Sequence, residues 1–96
     1  MQDPGSACSW VPKADLVALH APAAKEELRS LIVASSGEFL VDLTLVGMID
    51  SKGLGVLIAA LNSLEATGRR LRVVGANPDT VALFKMMRLD QHLILA

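Results

Sequence analysis

From Phe39 to Val46 this chain is largely apolar on both faces of any strand it forms, and that feature constrains the fold more than any other. Phe39, Val41, Leu43 and Leu45 alternate to one side, and Leu40, Asp42, Thr44 and Val46 to the other. A strand covered on both sides belongs in the middle of a sheet flanked by helices. The neighbouring segments supply the helices. Pro22 suits the first position of one that runs to about Ala34, because its missing N–H would be unpaired there anyway. Ala24, Leu28, Leu31 and Ile32 share one face of it, with Lys25, Glu26 and Arg29 away from that face, and Ser35-Ser36-Gly37 ends it. A second helix spans Leu54 to Thr67, with Gly68 as its C′ residue. Leu71 to Gly75 reads as a Val-rich strand, and Asn77-Pro78 caps a third helix that extends to about Leu89. Leu93 to Leu95 forms a last edge strand. Ala7 to Val11, with Trp10, forms a first edge strand that Pro12 stops.

Strands alternating with helices give an α/β fold with right-handed crossovers. At 96 residues the chain is one small domain. It occupies residues 7–96, preceded by a leader over residues 1–6 that is expected to be disordered.

The loop after the central strand carries the chemistry. Asp50-Ser51-Lys52-Gly53 opens the second helix at the mouth of that strand. Ser51 there is a candidate N-cap, and Asp50 is another, which would also suit the helix dipole. The same position suits a phosphate, since the free N–H groups of a helix start favour an anion. A phosphoryl group on Ser51 would add about −1.5 to −2 charge without unfolding the helix. A partner docked across Ser51 would instead meet a dianion beside Asp50. Gly53 and Gly55 leave the helix start bare for close approach.

The second helix has an unusual composition. Leu54, Leu57, Ile58, Leu61 and Leu64 gather on its core side. The opposite side holds Gly55, Val56, Ala59, Asn62, Ser63 and Ala66, with no charge among them. Three readings fit: a second layer of the protein covers this side, its small residues are simply tolerated at the surface, or it is a docking surface that begins beside Ser51.

Val41-Asp42-Leu43-Thr44, Met48-Ile49-Asp50-Ser51 and Gly53-Leu54-Gly55-Val56-Leu57 together resemble the central signature of the STAS domain. Gly68-Arg69-Arg70-Leu71-Arg72-Val73-Val74 is similar to the turn and strand that follow it in that family. Asn77-Pro78 and Leu89-Asp90 resemble the start and end of its last full helix. The likeness runs from about Ala14 to the C-terminus. It implies a small mixed β-sheet with helices packed mainly on one face. It also implies a binding protein of the anti-sigma-factor-antagonist type, phosphorylated at Ser51 and partnered by an anti-sigma factor that is often itself a serine kinase. The implied partner surface comprises Asp50, Ser51, Lys52, Gly53, Gly55, Val56, Ala59, Asn62 and Ser63. Other STAS domains are not phosphorylated and serve as scaffolds in stress signalling, as tails of anion transporters, or as partners of lipid-transport ATPases. This chain departs from the usual pattern at three places. Lys52 stands where a second Ser or Thr is usual, Ala14-Asp15-Leu16-Val17 where Gly-x-Leu-Asp is frequent, and Arg88 where Gly is common. The segment before Ala14 is also shorter than the family's usual N-terminal hairpin.

Other chemistries find little support. The net charge of −1 gives no bulk attraction to nucleic acid or anionic membranes, and aromatic residues, which stack on bases, are 3% of the chain. Arg69-Arg70-Leu71-Arg72 fits the end of a helix, where cations suit the dipole. Cys8 is the sole cysteine, so no internal disulfide forms and a reducing cytoplasm is the simplest compartment. His20 and His92 have no paired ligand spacing, so no metal and no cofactor are expected. Met86 and Met87, near Phe84, read as core packing. Ser51 lacks the Gly-x-Ser-x-Gly setting of a hydrolase nucleophile, so no enzyme activity is expected. A small-ligand or nucleotide module using the helix start at Asp50–Gly55 is the reading from another class, and no Gly-rich phosphate loop accompanies it. No membrane insertion is expected, and a homodimer is compatible with the chain.

Overall fold

The computed structural model describes residues 9–96; the expected leader and the first two residues of the expected edge strand lie outside the described residues. The elements are β1 (Ser9–Trp10), α1 (Ala21–Val33), β2 (Phe39–Asp42), α2 (Ser51–Glu65), β3 (Leu71–Val74), α3 (Pro78–Met86), a single 3-10 turn (Leu89–Gln91) and β4 (Ile94–Leu95). The sheet order is the chain order, β1-β2-β3-β4. The fold is the expected small α/β domain. Its sheet, expected to be mixed, is parallel at every strand pairing among the described residues. The reason is topological: a helix stands between each strand and the next, and such a crossover returns the chain in the same direction. Because every crossover steps the same way, right-handed connections carry the helices to one face. There α1 and α2 lie side by side.

The core fills the space between sheet and helices. Phe39, Val41, Leu71 and Val73 are buried from the sheet, Leu28 and Ile32 from α1, Leu57, Leu61 and Leu64 from α2, and Phe84 from α3. The other side of the sheet is half-buried. Leu40, Arg72 and Ile94 share one row across it, and Arg72 pairs with Glu38 at 2.8 Å.

The central strand is shorter than its apolar run. The Asp42 carboxylate accepts bonds from the backbone N–H and the hydroxyl of Thr44, which turns the chain out of the sheet. Gly75, with φ of 72°, passes so close to Thr44 that a side chain there would overlap it. Leu45 therefore points outward, while Val46 returns to the core.

The ends of the helices follow local chemistry. Gly68, with φ of 74°, closes α2: its N–H bonds to Glu65 O and that of Arg69 to Leu64 O. The Arg69 guanidinium then reaches the end of α1, donating to Ile32 O at 2.9 Å, Gly37 O at 2.7 Å and Ser35 Oγ at 2.9 Å. In this cluster Arg69 and Arg72 thus have structural partners. α3 stops at Met86, short of the expected Leu89, because Arg88 adopts a left-handed conformation with φ of 60°. The pair Met86-Met87 is exposed rather than core, since it ends the helix beyond the last buried residue, Phe84.

Candidate partner-binding site at the start of α2

Asp50 is the N-cap of α2. Its Oδ1 accepts from the backbone N–H groups of Lys52 and Gly53, each at 2.9 Å. Its Oδ2 accepts from Ala18 N–H, also at 2.9 Å, in the segment between β1 and α1. The donors at Gly53 and then at Ala18 hold the Asp50 carboxyl below its ordinary value. A residue that could be read as a simple helix cap therefore also fixes the neighbouring loop.

That loop runs alongside the one before α2. Leu16 bridges Ile49 in parallel, with Leu16 N–H donating to Met48 O and Asp50 N–H donating to Leu16 O. Asp15 Oδ1 accepts from Gly47 N–H at 2.9 Å and from Met48 N–H at 3.2 Å. From the other side, Asn77 caps α3 through Thr80 N–H and donates its amide to Gly47 O at 3.1 Å. The platform that presents the start of α2 is thus built by Asp15, Asp50 and Asn77, from three separate parts of the chain. Sequence reading missed Asp15 and Asn77 as site builders. A carboxylate or amide in a short loop carries no spacing signal for a long-range partner.

Ser51 is the first residue of α2 and is exposed, and its hydroxyl makes no hydrogen bond among the described residues. Lys52 and Gly55 are exposed beside it, and the space at Gly55 is open. Gly53 is not bare. A Cβ there would fall 1.8 Å from Leu16 O, so this glycine lets the Leu16 backbone cross the helix start. Further along α2, Asn62 and Ser63 are exposed and Ala59 is half-buried. Val56 is 5% exposed and faces the seam between α2 and α1, not the outer surface expected of it. The uncharged side of α2 is therefore divided. Val56 and Ala60 pack against α1, which forms the neighbouring layer, while Gly55, Asn62 and Ser63 face outward.

Exposed large apolar side chains lie on the loops that precede α1 and α2. Leu19 is 83% exposed, Met48 59% and Leu45 56%. Leu19 follows Ala18, which bonds Asp50, and Met48 lies two residues before that same Asp50. Exposed large apolar side chains on loops that meet at the helix cap suit contact with a protein partner. Their presence in loops rather than on a periodic element is the signal that could have revealed them. Among the described residues there is no cluster of three or more His, Cys, Asp or Glu that could hold a metal, and no helix long and apolar enough to cross a membrane.

The fold recurs in solved structures. A Thermotoga maritima protein (tm1081) described as an anti-sigma factor antagonist superposes with a TM-score of 0.80 at 20% identity, over 99% of this chain and 80% of that one. SpoIIAA, an anti-sigma factor antagonist in its unphosphorylated form, matches with a TM-score of 0.73 at 14% identity, over 92% of this chain and 76% of its own. A sulfate transporter family protein from Wolinella succinogenes matches with a TM-score of 0.74 at 18% identity, over 91% and 74% of the two chains. At these identities the likeness establishes the fold. No curated protein matches the chain. The family model described as the Mlab STAS domain matches residues 13–96, which include β2, the Asp50–Gly55 helix start and everything after it. The chain belongs to the STAS-domain family.

Proposed function

We propose that this domain is an anti-sigma-factor antagonist. It docks an anti-sigma factor of the serine-kinase type across the start of α2 and is released by phosphorylation of Ser51. One observation carries the reading. Asp50 takes the capping bonds, and the exposed Ser51 hydroxyl has no hydrogen-bond partner among the described residues. Leu19 and Met48, exposed on the two loops that meet at Asp50, supply the apolar contact. A phosphate at the first position of a helix suits the dipole and leaves the fold intact. In a docked interface it would add unpaired charge next to Asp50, which opposes binding. The partner-binding set is then Leu19, Met48, Asp50, Ser51, Lys52, Gly55, Asn62 and Ser63, with Ala59 at its margin. Gly53 and Val56 support it from inside. The test is incubation with the kinase partner and ATP followed by phosphopeptide mapping. Phosphate on Ser51, with loss of the complex, supports the reading; an unmodified Ser51 in a stable complex rejects it.

A second reading is favoured by the description of the matching family model, by the sulfate transporter family neighbour and by Lys52 in the place of a second Ser or Thr. In this reading the domain is an unphosphorylated accessory subunit, bound constitutively through the same surface to a transporter or to a lipid-transport ATPase. An unmodified, stable complex in the mapping experiment is the outcome it requires.

A further inference from the structure

Away from Ser51, the seam between α1 and α2 opens into a surface groove of about 100 Å³. Its floor is apolar, formed by Leu28 and Ile32 from α1 and by Val56 and Ala60 from α2. Ala59 and Ser63 form one wall. Lys25 and Arg29, one turn apart, line the other, and no acidic side chain lines the groove among the described residues. Neither cation has an ion-pair or hydrogen-bond partner among the described residues. Val33 lies at the far end and is 74% exposed. The groove is thus cationic toward the α1 N-terminus and apolar toward its C-terminus.

The geometry points to a binding site for a single-chain anionic amphiphile, a medium-chain alkyl carboxylate. The head group sits at Lys25 with Arg29 one turn on, and the chain runs along the groove toward Val33 and Ser63. Charge decides the head group: two unpaired cations on a neutral, apolar slot favour a carboxylate. Length decides the chain. Lys25 to Val33 spans about 12 Å of helix, the reach of an extended chain of roughly nine or ten carbons. The site does not involve Ser51 and does not require the partner proposed above, although its wall of Ala59 and Ser63 adjoins that proposed surface.

Titration of the purified protein with decanoate, followed by amide NMR shifts and calorimetry, tests this. Saturable shifts are expected at Val33, Val56, Ala59 and Ser63, with the Ser51 region unmoved. Affinity should fall roughly two- to four-fold for each methylene removed, the upper figure corresponding to full burial. The Lys25→Glu/Arg29→Glu double variant should keep its melting temperature and bind decanoate at least roughly ten-fold more weakly. Ala59→Trp, which fills the slot, should abolish the shifts; the charge variant keeps the test decisive if that substitution unfolds the domain. Equal affinity of wild type and double variant, equal binding of decanol, or shifts scattered over the surface would overturn the assignment. So would a synthetic acidic amphipathic peptide that saturates the same amides when decanoate does not, which would make the groove a protein-docking seam.

Discussion

Asp50 and Ala18 are joined by a 2.9 Å hydrogen bond from the Ala18 N–H to the Asp50 carboxylate, across a separation of 32 residues. The same side chain caps α2 with its other oxygen. A single carboxylate therefore couples the start of the helix to the loop that carries Leu19. The bonds from Gly53 and Ala18 keep it ionised to lower pH than an ordinary aspartate. Its contribution to stability is then fully present above the unfolded value of about 3.8 and is lost as pH falls through the lowered folded value. Asp42, held down by Thr44, adds to the same acid limb. Asp50→Asn should melt lower than wild type at pH 7 and show a shallower loss of stability below pH 4, as read by thermal denaturation against pH.

The two glycines that open α2 should respond in opposite directions. Gly53→Ala drives a Cβ into the Leu16 backbone carbonyl, which cannot swing aside as a side chain can. The cost should be about 3 kcal/mol or more. Gly55→Ala meets open space and replaces a poor helix former, so it should stabilise by about 0.5–1 kcal/mol. Urea denaturation of both variants decides the point.

Arg88 holds a left-handed backbone conformation with φ of 60° between α3 and the following 3-10 turn. Only glycine enters that region without steric cost, which for other residues is about 1–2 kcal/mol. Arg88→Gly should therefore raise the unfolding free energy by about 1 kcal/mol, less the added chain entropy of glycine in the unfolded state. A higher urea midpoint at unchanged slope would be the signature.

On the function proposed above, Ser51 and Leu19 should separate binding from folding. Ser51→Asp keeps a dipole-compatible residue at the helix start, so its melting temperature should match wild type while affinity for the partner falls tens- to thousands-fold. Ser51→Ala should retain both and resist inactivation by the kinase. Leu19→Ser removes exposed apolar surface, so it should leave stability unchanged and weaken the complex. Calorimetric titration of the three variants against wild type is the measurement; equal affinities for all four proteins would remove the Ser51 surface from the interaction.

Much of the fold could be read from the chain because its signals are local. Pro22, Gly68 and Asn77-Pro78 mark helix boundaries through backbone geometry that depends on near neighbours, and the helices begin or end within a few residues of those marks. The Asp-Ser-x-Gly order likewise put Ser51 at a helix start, where it stands exposed. What the sequence could not decide depends on contacts between distant segments. Whether Asp50 or Ser51 caps α2 was settled by the loop that brings Ala18 N–H to the carboxylate. Whether Gly53 is open or covered was settled by the Leu16 backbone lying on it. Val56 shares a face with Gly55 and Ala59 on a helical wheel, yet it is buried because α1 packs over that part of the face. Periodicity reports which residues share a side of an element, while burial depends on which element lies against that side, and that is fixed only when the parallel crossovers set α1 beside α2.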